Sequence, residues 1–374
     1  MIRRLALLSG MLSMMAQLPA LAGDRPAKVE IPQPLMEATA PAVPAARATS
    51  SDPKALWSAY KAQFLKPEGR IVDNGNGDVS HSEGQGYGLL LAALMEDRPA
   101  FDRIWSWTAR ELMVRKDHLA AWRWVPGATP HVADTNNATD GDLLIAWALV
   151  EGATRFSRPE LRTAAQAIAR DIGRKLVKPS PYGPILMPGE KGFGAKEQVD
   201  GPVVNLSYWV FPAIEKIAPL APEVDWDAVE RGGLALLHQS RFGPARLPAN
   251  WISLAGSGPA PAKAYPARFG YDAIRIPLYL AWSGSDQKAL VGVFGTLWAS
   301  DGDIGPYEID LATGSGEEVL GGFGFKAVAA LAACLTSNSK IPAAALAAND
   351  DRYYPATLQA LTNVLVRERF PQCL

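Results

Sequence analysis

The chain has little of what usually marks a function. Its 374 residues hold only two cysteines, Cys334 and Cys373, and four histidines, His81, His118, His131 and His238. None of these stands at metal-ligand or redox-motif spacing, so neither a metal nor a cofactor is expected. There is no G-x-S-x-G elbow, no H-E-x-x-H and no phosphate-binding P-loop. Net charge is -1, with no polybasic or polyacidic block. That argues against a nucleic-acid partner or an anionic membrane surface and favours a neutral one. Clean period-2 strand patterns are scarce as well. The one apolar run at the N-terminus, Leu5 to Leu18, is too short to span a bilayer comfortably.

What is present is core material: 48% hydrophobic residues and eleven tryptophans, enough for one large or two medium domains. Arg3 and Arg4 precede the N-terminal apolar run, and Ala20-Leu21-Ala22 follows it. This is the pattern of a secretory signal over residues 1–22, with a mature chain expected from Gly23, outside the cytoplasm and without a membrane span. Residues 23–50 are rich in Pro and Ala and nearly devoid of aromatics, which reads as an extended tether. The globular part then covers residues 51–374. The two cysteines allow a single disulfide, and two free thiols fit a core of this size equally well.

From residue 55 onward apolar residues recur at helical spacing. Helices are expected over 55–64, 86–95, 98–113, 142–156, 160–176, 208–217, 226–238, 273–282, 287–298, 325–335 and 355–370. Loops of Gly, Pro, Asn and Asp separate them. Periodicity alone says mostly α.

Acids stand at three of the helix starts. In Ala138-Thr139-Asp140-Gly141-Asp142, two carboxylates precede a long apolar run; an N-cap accounts for one of them and leaves the other without a task. In Ser82-Glu83-Gly84-Gln85-Gly86-Tyr87-Gly88, Glu83 taken alone is a first-turn acid complementing the helix dipole. The glycines there do not follow G-x-G-x-x-G, so they are read as sites of close approach to a helix start. Asp272, in Gly270-Tyr271-Asp272-Ala273-Ile274-Arg275, could make an i,i+3 ion pair with Arg275 worth only a few tenths of a kcal/mol. The Gly/Asp/Asn stretch 73–78 does not fit a calcium loop, because its Gly and Glu fall out of register.

Taken together these segments resemble glycoside hydrolase family 8. Residues 138–156 are similar to its A-[ST]-D-[AG]-D signature, with Gly152 where the family usually has Ala. S-E-G-x-G-Y-G around Glu83, Y-D-A-I-R around Asp272 and Asn205-Leu206-Ser207-Tyr208 match other segments of it. The resemblance spans about Trp57 to Phe370. It implies an all-α (α/α)6 barrel whose inner helices run parallel, so that the three acids meet on one rim. It implies hydrolysis of internal β-1,4-glucosidic bonds with inversion, with Glu83 as general acid, Asp272 as base and Asp140 gripping the sugar at the cleavage point. Asp142 is expected to be structural. Tyr208, Arg275, Trp122, Trp124, Tyr271 and Asn205 are expected to line the substrate site. The implied partner is a β-1,4-glucan chain. Export and a single catalytic domain add an expected periplasmic or secreted location and an association with a bacterial cellulose synthase complex. Xylanase, chitosanase and mixed-linkage glucanase specificities, or a non-catalytic glucan-binding assembly protein, are the alternatives.

Overall fold

The computed structural model describes residues 50–283, 287–298, 306–347 and 350–374. The expected signal segment, and the tether up to residue 49, lie outside them. Eleven α-helices occur among the described residues: α1 (Pro53–Phe64), α2 (Ser82–Leu94), α3 (Arg98–Glu111), α4 (Thr139–Arg155), α5 (Pro159–Leu176), α6 (Phe211–Ile217), α7 (Trp226–Gln239), α8 (Ile276–Trp282), α9 (Lys288–Trp298), α10 (Phe323–Ser337) and α11 (Tyr353–Arg369). Each overlaps an expected helix.

Six of them form a closed inner ring. α2 packs on α4, α4 on α6, α6 on α8, α8 on α10, α10 on α11, and α11 returns to α2. Outside it, α3 backs α2, α5 backs α4, α7 backs α6, α9 backs α8 and α10, and α1 backs α11. A 3-10 turn, Ala343–Leu346, packs on α10 and α11. This is the (α/α)6 barrel. Ring helices α2 and α4 are buried on nearly every side, which is why their sequences lack a polar stripe. The outer helices α3 and α5 keep one.

Close approach between α2 and α4 depends on glycine. A Cβ on Gly86 would lie 2.6 Å from Leu144 Cβ, and one on Gly141 would lie 2.1 Å from Ser82 Oγ and 2.7 Å from the Glu83 amide nitrogen. Any side chain there would drive the two helix starts apart. Gly152 has a partner too: its missing Cβ leaves the space that the Phe101 ring fills, 2.6 Å from where that atom would stand.

Two features differ from the sequence expectation, and one choice it left open is decided. The helix expected over 208–217 is a 3-10 turn, Leu206–Tyr208, followed by α6, and that over 273–282 is a 3-10 turn, Ala273–Arg275, followed by α8. Pro212 and Pro277 open the α-helical parts near their first position, where a missing N–H costs nothing. A hairpin of strands Tyr307–Asp310 and Gly316–Val319 pairs onto strand Arg268–Phe269, just before Asp272. Its second strand is exposed throughout and carries no apolar alternation to read. Finally, Cys334 on α10 and Cys373 in the C-terminal turn form a disulfide, Cα atoms 5.8 Å apart, which settles the alternatives left open above.

Candidate active site

Outer helices α1, α3 and α7 are capped by Asp52, Asp97 and Asp225, each side chain accepting a hydrogen bond from a first-turn amide. The inner helices behave differently. The N-cap positions of α2, α4 and the Ala273–Arg275 turn make no side-chain cap bond, although Glu83, Asp140 and Asp272 stand there or in the first turn. Glu83 and Asp272 cap no helix, Asp140 accepts from the neighbouring Gly141 amide at 2.8 Å, and other side chains claim all three.

Arg275 is the link. Its guanidinium contacts the Glu83 carboxylate and, through a second nitrogen, donates to Asp140 Oδ2 at 2.9 Å. The same nitrogen donates to Ser207 Oγ at 3.1 Å. Ser207 Oγ donates to Asn205 Oδ1 at 2.7 Å, and Asn205 Nδ2 donates to Asp272 Oδ2 at 3.3 Å. One polar chain thus runs from Glu83 and Asp140 through Arg275, Ser207 and Asn205 to Asp272. Arg275 serves Glu83 and Asp140, not its sequence neighbour Asp272, because the 3-10 turn aims it across the ring. Tyr208 lies under this guanidinium, 5.5 Å from ring centroid to charge.

Burial governs the titration of these groups. Loss of water, opposed by the Gly141 amide and reinforced by the charges of Asp272 and Asp142, pushes the Asp140 carboxyl up to about 8. Burial likewise raises Asp272 to about 7, with hydrogen bonds from Asn205 and Trp251 opposing and nearby Glu308 adding. Tyr208 is held well above the ordinary phenol range by burial and by the charges of Asp140 and Asp272, so it remains a hydroxyl donor. Arg275 meets Glu83 and Asp140 but not Asp272, whose rise comes from burial and from the charge of Glu308.

Asp142 has a different place. Its two oxygens accept from the Ala120 amide and from Asn137 Nδ2, both at 2.8 Å, tying the loop before α4 to the segment that leads into Trp122. Burial raises it to about 7.

Of the expected aromatics, Tyr208 meets the Arg275 guanidinium, and the other three pack on neighbouring side chains. Trp122 is buried, donates to Asp134 Oδ2 at 2.9 Å and lies parallel to His81, ring centroids 6.3 Å apart. His81 is itself depressed to about 4 by burial and Arg123, and so is neutral. Trp124 is engaged by protein: the Arg70 guanidinium lies 4.7 Å from its centroid, His131 stacks at 4.2 Å and Trp107 meets it edge-on at 5.7 Å. Tyr271 stacks on Tyr354 at 4.7 Å, and the Tyr354 hydroxyl donates to the Tyr271 carbonyl at 3.1 Å. Four residues near the acids escaped the sequence reading. Trp251, stacked between Phe193 (5.5 Å) and Tyr265 (4.6 Å), is a hydrogen-bond partner of Asp272. Asn250 Oδ1 accepts from the Gly270 and Ala273 amides, both at 3.1 Å. Ser207 and Glu308 are the others. Only Ser207 lay inside a recognised run; Asn250 and Trp251 sit in a loop and Glu308 on the unforeseen hairpin. Among the described residues no group of three or more His, Cys, Asp or Glu is arranged to hold a metal, and no helix is long and apolar enough to cross a membrane.

Comparison with known proteins agrees with this geometry. Residues 33–368 match glycosyl hydrolases family 8. A probable endoglucanase of Novacetimonas hansenii is 39% identical over 312 residues, 82% of this chain and 89% of that one. The crystal structure of a Klebsiella pneumoniae endoglucanase, described as a family 8 glycosyl hydrolase, superposes with a TM-score of 0.77 at 36% identity, covering 84% of this chain and 99% of that one. An endo-β-1,4-glucanase of Acetobacter xylinum gives 0.77 at 37% identity, covering 85% and 99%. With a barrel of this topology, acids at its inner helix starts and a match over most of its length, the chain belongs to glycosyl hydrolases family 8.

Proposed function

We propose that this endoglucanase cuts internal β-1,4-glucosidic bonds with inversion at the anomeric carbon. Glu83 protonates the leaving glycosidic oxygen, while Asp272 takes a proton from the water that attacks the opposite face of the sugar. Asp140 holds the sugar at the cleavage point, and Tyr208, Asn205 and Arg275 orient the acids and the ring. Trp122 and Tyr271 offer aromatic surface to the glucan, whereas Trp124, expected to do the same, is covered by Arg70 and His131. The observation that carries the reading is the asymmetry of the polar chain. Arg275 gathers Glu83 and Asp140 at one end, and Asp272 stands at the other with only neutral hydrogen-bond donors, Asn205 and Trp251. A base flanked by neutral donors and raised by burial holds a proton more strongly than an ordinary aspartate. Such a group suits water activation.

Export of the mature chain to the periplasm, and work beside a cellulose synthase complex, are part of this proposal. The export-type N-terminus in the sequence supports the first, and likeness to endoglucanases makes a β-1,4-glucan chain the material such work would act on.

Proton NMR of a cello-oligosaccharide digest tests the chemistry directly. The α-anomer should appear first and the β-anomer only by mutarotation. Asp272→Asn and Glu83→Gln should each lower kcat by roughly 10²–10⁴, the span typical of lost general acid–base catalysis, with oligosaccharide binding retained. First appearance of the β-anomer would replace inversion by retention. Full activity of Asp272→Asn would remove it as the base.

A further inference from the structure

The hairpin 307–319 places a second carboxylate behind the segment that carries Asp272. Glu308 Oε1 accepts from the Tyr271 amide at 3.3 Å. It comes so close to the backbone that a Cβ on Gly270 would meet that oxygen at 2.6 Å. Glycine at 270 is thus what lets the carboxylate in. Strand pairing fixes the approach, with Arg268 opposite Asp310 and Phe269 opposite Ile309. On its outer side Glu308 Oε2 meets Arg268 at 3.4 Å, and Arg268 also pairs with Glu317 at 2.7 Å. Glu308 is largely shielded, at 15% side-chain exposure, whereas Arg268 and Glu317 are at 37% and 36%. Water therefore weakens the outer charges more than the inner one.

We infer that Glu308 is a positioning residue for the proposed base. Its carboxylate fastens the Tyr271 amide next to Asp272, and its charge strengthens Asp272 as a proton acceptor while Arg268 moderates that charge. The inference rests on Asp272 being the base. The other groups facing Asp272 are Asp140 across the ring and the phenols of Tyr208, Tyr265 and Tyr354, with Asn205 and Trp251 as donors. The phenols are all raised and so neutral, and Asp140 is shared with Arg275. Glu308 is the carboxylate that acts on Asp272 from outside the catalytic trio, and burial leaves that action little screened.

Glu308→Gln separates charge from shape, because the amide oxygen can still accept from the Tyr271 N–H. The measurement is the pH profile of kcat/KM on soluble carboxymethylcellulose or a cello-oligosaccharide, with melting temperature recorded in parallel. The acidic limb, set by ionisation of Asp272, should move to lower pH by about half a unit or more. The plateau kcat should fall about two- to threefold as the base weakens, with KM unchanged. Arg268→Gln should move the same limb the opposite way, and it decides the matter if Glu308→Gln fails to fold. Superimposable profiles for wild type and a well-folded Glu308→Gln would reduce Glu308 to a loop fastener and overturn the inference. An Asp272→Asn variant that keeps its activity would instead remove the base assignment, a different failure visible in the same series.

Discussion

Replacing Asp142 by asparagine separates structure from chemistry in the Asp140–Asp142 pair, and its effect on stability should change with pH. In the wild type, burial raises Asp142 from 3.8 to about 7. The folded protein therefore holds a proton that the unfolded chain has released between those values. The stability tied to that proton is complete below about pH 4 and lost by about pH 7, and a rise of this size is on the order of 4 kcal/mol. Asparagine does not titrate, so the variant lacks this dependence. It has its own cost. Ala120 N and Asn137 Nδ2 both donate to the carboxylate, and an amide offers a single acceptor oxygen. Asn137 is not free to flip, because its own oxygen accepts from the Glu190 amide at 2.8 Å. One buried donor is left unpaired, at about 1–3 kcal/mol. Urea unfolding should show the variant weaker by that amount at or below about pH 4, with the gap already narrowing at pH 5 and closing or reversing by pH 8. Asp73, Asp140 and Asp272 are also raised, and they cancel in the comparison because both proteins contain them. Activity should stay within about tenfold, since the side chain faces Ala120 and Asn137 rather than Arg275. An unchanged pH dependence of stability, or a hundredfold loss of kcat in a well-folded variant, would refute this assignment.

Other expectations follow from single contacts. Gly141→Ala should remove most activity and lower the melting temperature, because the added carbon collides with Ser82 Oγ and the Glu83 amide; a crystal structure with α2 and α4 undisplaced would contradict it. Gly86→Ala overpacks against Leu144 and the Ile145 backbone and should cost about 1–3 kcal/mol in chemical denaturation. Opening the Cys334–Cys373 bridge, whose partners are 39 residues apart, should cost about 4 kcal/mol on a loop-entropy estimate, and equal melting temperatures with and without reductant would oppose that. Mass spectrometry of exported protein should find Gly23 as the first residue, and retention of Met1 would rule out the proposed cleavage.

Helix positions and acid positions were legible in the sequence because both are local. An apolar face recurs every three or four residues, and a helix start is marked by the residues within one turn of it. Hence the eleven helices of the described residues, two of them opening in 3-10 turns, and Glu83, Asp140 and Asp272 near helix starts, could be read directly. What those acids do with their charges could not be read. Arg275 lies three residues from Asp272 but serves Asp140, 135 residues away, because ring closure brings the start of α8 to face those of α2 and α4. The residues around Asp272 have the same origin. Trp251, Asn250 and Glu308 come from loops and a short exposed hairpin, where no periodicity points inward. The choice between a disulfide and two thiols was likewise settled by the packing of the C-terminal turn on α10. Short-range pattern determined the elements and their chemical ends. The closed ring decided which charges meet, since contacts between residues far apart in the chain exist only once its helices have packed.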